Sequence, residues 1–305
     1  MNAGQLRLNG TVSLSAARVR SGLRCPEFNA GLCADLDLPD HVRFQSFTGL
    51  RWDLGASIGL GKGVQVAVSL PIELKHFTIR HELMDGAAYT VPYSLMVGAT
   101  GPVVGLGDMS VTGRIAKKVL GQPILLDAAV GVALPTGRIS PNPFDPALPA
   151  TQRQHRQFGN GTVDPLVRLG FVLSWRPVGV IVRGTTRIPL YANKFGYRGQ
   201  FTLGGSAGIV ATLPEPAQTV RLLALVDATH ASAARWDGEK ALNSGRDAIG
   251  LRLGAEWSIT PKFVVQAQIT STLIETLQGD QFPTSYAGSV GVSGVIDLKK
   301  KAAHH

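Results

Sequence analysis

The chain has 305 residues, 44% of them hydrophobic, and a formal net charge of +9. Such a length allows two ordinary domains, but all-β barrels of this size form one. No apolar run reaches the roughly eighteen residues a membrane helix needs. The best stretch, Pro123 to Pro135, is broken by Asp127, so helical insertion is excluded. The basic excess does not read as a nucleic-acid surface, because the lysines and arginines are scattered and not interleaved with stacking aromatics.

Met1-Asn2-Ala3-Gly4 leads directly into the first patterned segment, without a basic or apolar leader region, so an export signal is expected to have been removed. Twelve segments then alternate apolar with polar or small residues: 4–19, 44–60, 64–75, 107–118, 123–136, 162–176, 178–190, 200–213, 218–230, 246–260, 262–274 and 284–298. The pattern is clearest at 64–74, where Val64, Val66, Val68, Leu70, Ile72 and Leu74 share one face and Gln65, Ala67, Ser69, Pro71 and Glu73 the other. A strand sends successive side chains to opposite sides, so each segment has one face for an apolar medium and one for a polar one. An even number of such segments without helical periodicity predicts an all-β fold, a single antiparallel transmembrane β-barrel. Residues 1–298 would form it, with 299–305 a basic tail that is either native or a tag remnant.

The connections alternate in length. Gly61-Lys62-Gly63, Val119–Gln122, Pro177, Pro214–Ala217 and Pro261 are short, whereas 20–43, 76–106, 137–161, 191–199, 231–245 and 275–283 are long. Outer-membrane barrels have short periplasmic turns and long extracellular loops, which predicts both termini on the periplasmic side. Trp52, Trp175, Trp257, Phe263, Tyr191 and Tyr286 are the expected members of two interfacial aromatic girdles. Cys25 and Cys33 share the first long connection, and in an exported protein a disulfide closing it is the natural reading. Two cysteines without nearby histidines cannot complete a zinc site, and no metal or cofactor is expected.

If the apolar face meets lipid, the other lines the lumen, and it is rich in ions. Arg7, Arg51, Arg114, Arg168, Arg183, Arg187, Arg221, Arg246 and Arg252 fall on it, with Asp53, Glu73, Asp108, Asp127, Asp164, Asp227, Glu256 and Asp297. On the lipid face each would cost about 2–4 kcal/mol near the midplane. Strands about 4.8 Å apart and tilted about 40° give a backbone diameter of roughly 24 Å, leaving an opening of about 12 Å at most. Asp108, Asp127 and Asp164 sit on neighbouring strands with Arg114, Arg168 and Arg183. They read either as a charge ladder ordering a pore or as a structural ion-pair network. The apolar stretch Ala87–Gly98 within 76–106 could fold inward as a constriction or extend the neighbouring strands.

Gly105-Leu106-Gly107-Asp108, Leu134-Pro135-Thr136-Gly137 and Gly159-Asn160-Gly161-Thr162-Val163-Asp164 together resemble the outer-membrane β-barrel transporters associated with a phenol-degradation pathway. That resemblance implies passage of aromatic or other hydrophobic small molecules. The last segment departs from many such barrels by ending Ile296-Asp297-Leu298 without a terminal aromatic. The glycine-rich run Gly59–Gly63 lacks the spacing and following helix of a phosphate loop. His230 is the one strand histidine near the long-loop rim where a hydrolytic pair would stand, and no serine partner is recognisable.

The expected function is a bacterial outer-membrane channel passing a small solute through a narrow lumen lined by Asp108, Arg114, Asp127, Asp164, Arg168, Arg183, Arg187, Arg252 and Glu256. The alternative is a closed barrel that anchors or assembles with other envelope proteins, and an enzyme is the weaker third reading. The partners are then outer-membrane lipid outside and a small-molecule solute inside.

Overall fold

The computed structural model describes residues 1–21, 41–89, 101–141, 157–214, 219–241, 244–278 and 286–298. Its barrel staves are β1 (Gln5–Ser21), β2 (His41–Gly61) and β3 (Val64–Leu83), followed by a stave made of β5 (Gly101–Leu106) and β6 (Met109–Lys118). Then come β7 (Ile124–Leu134), β8 (Asp164–Trp175), β9 (Val178–Arg187), β11 (Thr202–Thr212) and β12 (Val220–Ala231). The wall ends with β15 (Arg246–Thr260), β16 (Phe263–Leu277) and β17 (Tyr286–Asp297). Short strands β4 (Ala88–Tyr89), β10 (Tyr197–Arg198), β13 (Arg235–Trp236) and β14 (Glu239–Lys240) lie in the long connections.

Each stave pairs antiparallel with its neighbours, and β1 pairs with both β2 and β17, so the sheet closes into a ring of twelve. The short turns gather at one end and the long loops at the other, as the sequence predicts. Closure leaves none of the twelve described staves as an edge strand, which is what a sheet in hydrocarbon requires. Described wall residues alternate accordingly: Val130 and Leu169 are 64% and 60% exposed on the outside, whereas Ala129, next to Val130, is 5% exposed on the inside. The arginines and acids assigned to the lumen from the pattern fall on this inward parity wherever they pair in the sheet, and Asp108 lies in the break between β5 and β6.

Three expectations need adjustment. The third stave does not stop at 75: Phe77, Thr78 and Ile79 go on pairing with Phe47, Ser46 and Gln45, and β3 reaches Leu83. The fourth stave starts at Gly101 and is interrupted only at Gly107-Asp108, where the Gly107 N–H still bonds the Pro71 carbonyl at 2.9 Å. The described part of the 76–106 connection is therefore wall and hairpin, not an inward constriction. Its residues 90–100 lie outside the described residues, as do 299–305. A further sheet, formed by β10, β13 and β14 over the long-loop end, has no counterpart in the alternation pattern.

The glycine-rich run is a hairpin turn. Gly61, Lys62 and Gly63 have φ of 97°, 51° and 81°, the left-handed region that favours glycine. A methyl group on Gly63 would also collide with the Ala116 carbonyl oxygen.

Candidate functional site: the lumen and its mouth

Antiparallel register places inward side chains in rows across the wall. One row runs Asp127, Gly170, Arg183, Ser206, Asp227, Gly250 over six adjacent staves. The next row toward the long loops runs Arg114, Ala129, Arg168, Thr185, Gly204, Thr229. Small residues therefore flank Arg183 on both sides, Gly170 and Ser206. A Cβ on Gly170 would meet Arg183 Cγ at 3.1 Å, so the arginine stem lies across that glycine.

Two acids of these rows are engaged by two-pronged arginine pairs. Arg114 donates to both Asp127 oxygens at 2.7 Å, and Arg252 donates to Asp227 at 2.9 and 2.5 Å. Nearer the short turns Arg221 pairs with Glu256, and on the other side of the lumen Arg51 bridges Asp53 and Glu73. Arg168 and Arg183 differ: among the described residues no carboxylate lies within salt-bridge distance of either.

These side chains border a cavity of about 590 Å³ in the lumen. Its lining contains Arg114, Arg168, Arg183, Arg246 and Arg252 with Asp127, Asp227 and Glu275, and threonines from β9, β12 and β16. Toward the short turns the inward row changes character. Val172, Ile181, Gly208 and Leu225 follow one another across β8–β12, and Ile181 and Leu225 are 5% and 3% exposed. The alternation rule labels these positions as lumen, but not that they form an apolar floor beneath Arg183.

At the mouth the structure separates residues that the sequence grouped together. Arg187 Nη2 lies 2.7 Å from Asp108 Oδ2 and 2.6 Å from Asp164 Oδ2, with both carboxylates almost fully buried. Asp108 also accepts the Gly137 and Asn160 N–H groups at 3.2 and 2.9 Å. Asp164 accepts the Thr162 hydroxyl at 2.6 Å and the Asn160 amide at 2.7 Å. The charge ladder is thus two sites: this knot at the rim, and Asp127 with Arg114 deeper in. The knot pins the connection between β7 and β8 against the wall. There the Phe158 ring packs on inward-facing Gly105, where any side chain would overlap it, and Lys75 Nζ stands 4.5 Å from the ring centroid. Lys75 also donates to the Gln157 carbonyl at 2.9 Å.

Above the knot, Asn193 donates to the Asn160 carbonyl at 2.8 Å, and Tyr197 packs against Trp236 with ring centroids 4.7 Å apart and planes tilted by 49°. Burial raises the Tyr197 phenol above its ordinary value, with Arg187 opposing and Asp164 and Asp108 adding to the rise.

Trp175, Trp257 and Phe263 are exposed on the outer wall beside the short turns, and Tyr191 and Tyr286 at the long-loop end. Tyr191 also accepts the Val163 N–H through its hydroxyl at 2.9 Å. Trp52 faces outward between Leu50 and Leu54, within the β2 stave and away from its ends. Cys25 and Cys33, and the disulfide expected of them, lie outside the described residues. His230 points outward at the rim, its Nδ1 2.7 Å from Asp247 Oδ1. Among the described residues no serine, threonine or cysteine hydrogen-bonds its ring.

A closed twelve-strand barrel, apolar outside and charged inside, is a transmembrane barrel of the bacterial outer membrane. In fold the chain is similar to the COG4313 outer membrane channel from Pseudomonas putida F1, with a TM-score of 0.60 at 14% identity over 97% of each chain. The CymD monoaromatic hydrocarbon channel superposes at a TM-score of 0.42 and 8% identity, covering 97% of this chain and 89% of that one. The NanC porin does so at 0.41 and 9%, covering 92% and 98%. No protein-family model and no curated protein matches the chain.

Proposed function

We propose that the protein is a passive channel for a small solute, with both termini and the short turns in the periplasm. The observation that carries this reading is the cavity of about 590 Å³ inside the ring, bordered by charged and hydroxyl side chains. A wall built only for anchorage has no need of a cavity lined by charged and hydroxyl groups, whereas a conduit does. The COG4313 barrel, whose described activity is that of a channel, has the same fold. The aromatic solutes implied by the family resemblance would have to cross as polar or ionised molecules. A bare hydrocarbon would strip water from the lumen guanidiniums and return no hydrogen bond.

Reconstitution into planar bilayers tests the reading: discrete current steps are expected, and neither current nor solute flux into liposomes would overturn it. The pinned connection at Phe158 favours a second reading, a barrel shut at its mouth that serves as an anchor. That reading expects no current from the wild type and co-purification with other envelope proteins from native membranes.

A further inference from the structure

The cavity lining holds five guanidiniums against three carboxylates, a surplus of two positive charges. Asp127 is occupied by Arg114 and Asp227 by Arg252, while Arg246 Nη1 stands 3.6 Å from Glu275. The surplus therefore resides on Arg168 and Arg183, on adjacent strands β8 and β9. The register sets Arg183 midway between Asp127 and Asp227, two strands from each, and places only Gly170 and Ser206 beside it. Neither neighbour can neutralise it. Beneath it, buried Ile181 and Leu225 replace water with carbon, which strengthens any charge interaction made above them. Thr185 beside Arg168, and Thr229, Thr270 and Thr272 farther round the wall, offer hydroxyls that donate or accept. An arginine fork matches the two oxygens of a carboxylate. The volume lies within the roughly 300–1,000 Å³ typical of small-molecule sites.

We propose that the Arg168–Arg183 wall is a binding site for small organic anions bearing carboxylates, and that such anions are the solutes of the channel. The second half rests on the channel reading above; the first half does not.

Titration calorimetry of the detergent-purified barrel with succinate tests the site without needing an open pore. Saturable binding is expected, weakened tenfold or more in R168Q/R183Q and unchanged in R18Q, which removes one positive charge from the outer wall. Arg183→Lys, which keeps the charge and loses the fork, is expected to fall between, and it judges the site if the double variant fails to fold. No succinate binding to the wild type, or equal binding by R183K and R168Q/R183Q to that of the wild type, overturns the proposal. Reversal potentials in a potassium chloride gradient then test the solute assignment. Preference for chloride, reduced in R168Q/R183Q, supports it, and preference for potassium overturns it. A barrel that binds succinate but carries no current keeps the site and overturns the channel reading, and with it the solute assignment.

Discussion

Arg187 and Asp108 are 79 positions apart in sequence, yet Nη2 and Oδ2 meet at 2.7 Å inside the mouth of the barrel. The pair is central to a knot, because Asp108 also holds two N–H groups of the β7–β8 connection and Arg187 also holds Asp164. A buried carboxylate is tolerated only with its counter-charge and hydrogen bonds in place.

Arg187→Met is therefore expected to destabilise the barrel by about 3 kcal/mol, since it leaves two buried acids without their cation. The shift in the urea midpoint of refolded protein, followed by heat-modifiable gel mobility, measures it. An unchanged midpoint would show that the knot contributes nothing to stability.

Phe158→Ala should act on conductance more than on stability. The ring covers Gly105 and stacks beneath Lys75, so its removal frees space on the β3–β5 side of the lumen. Larger unit current steps than wild type are expected, with a loss of stability below that of Arg187→Met. Smaller or identical steps would place the conducting path elsewhere.

The inside and outside of the wall can be told apart by placing the same charge on each. Leu169→Arg, on a lipid-facing position, is expected to cost about 2–4 kcal/mol of folding free energy. Ser289→Arg faces the lumen opposite Gln268 and Ser13. It should fold as the wild type does and change only the current. Equal destabilisation by both would refute the assigned faces.

Tyr197 gives a pH dependence to the small sheet above the mouth. Because burial raises its phenol above the ordinary value near 10, the neutral form is favoured in the folded state. Its contribution is complete below the unfolded value and is lost as pH rises through the folded one. Ultraviolet titration should show this phenolate appearing later than a solvent-exposed tyrosine, and Trp236→Ala should bring it back toward the ordinary value. Coincident titration before and after that substitution would contradict burial of the phenol by Trp236.

The period of two made the wall legible. Arg114, Arg168, Arg183, Arg187 and Arg252 could be placed inside because each shares parity with small residues and opposes an apolar run. Periodicity has no purchase on loops. That Asp108 and Asp164 converge on Arg187 depends on β-register across β6 to β9 and on backbone N–H groups of Gly137 and Asn160, neither of which leaves a sequence pattern. The pairing of Tyr197 with Trp236 escaped for the same reason. The floor of Ile181 and Leu225 escaped for a different one: they stand on the polar parity, and only packing distinguishes a wet lumen position from a dry one.

The ring is sealed where β1 meets β17, from Gln5 opposite Asp297 to Ala16 opposite Tyr286. Every earlier stave can find its partner locally, but this seam must wait for the final strand. Until then two rows of amide groups and an unfinished greasy surface stand exposed together, a template for the wrong neighbour. Assembly of this wall is thus a race between sealing and mispairing, decided by residues about as far apart as the chain allows. A lesion in the last strand should wound the first as deeply as itself.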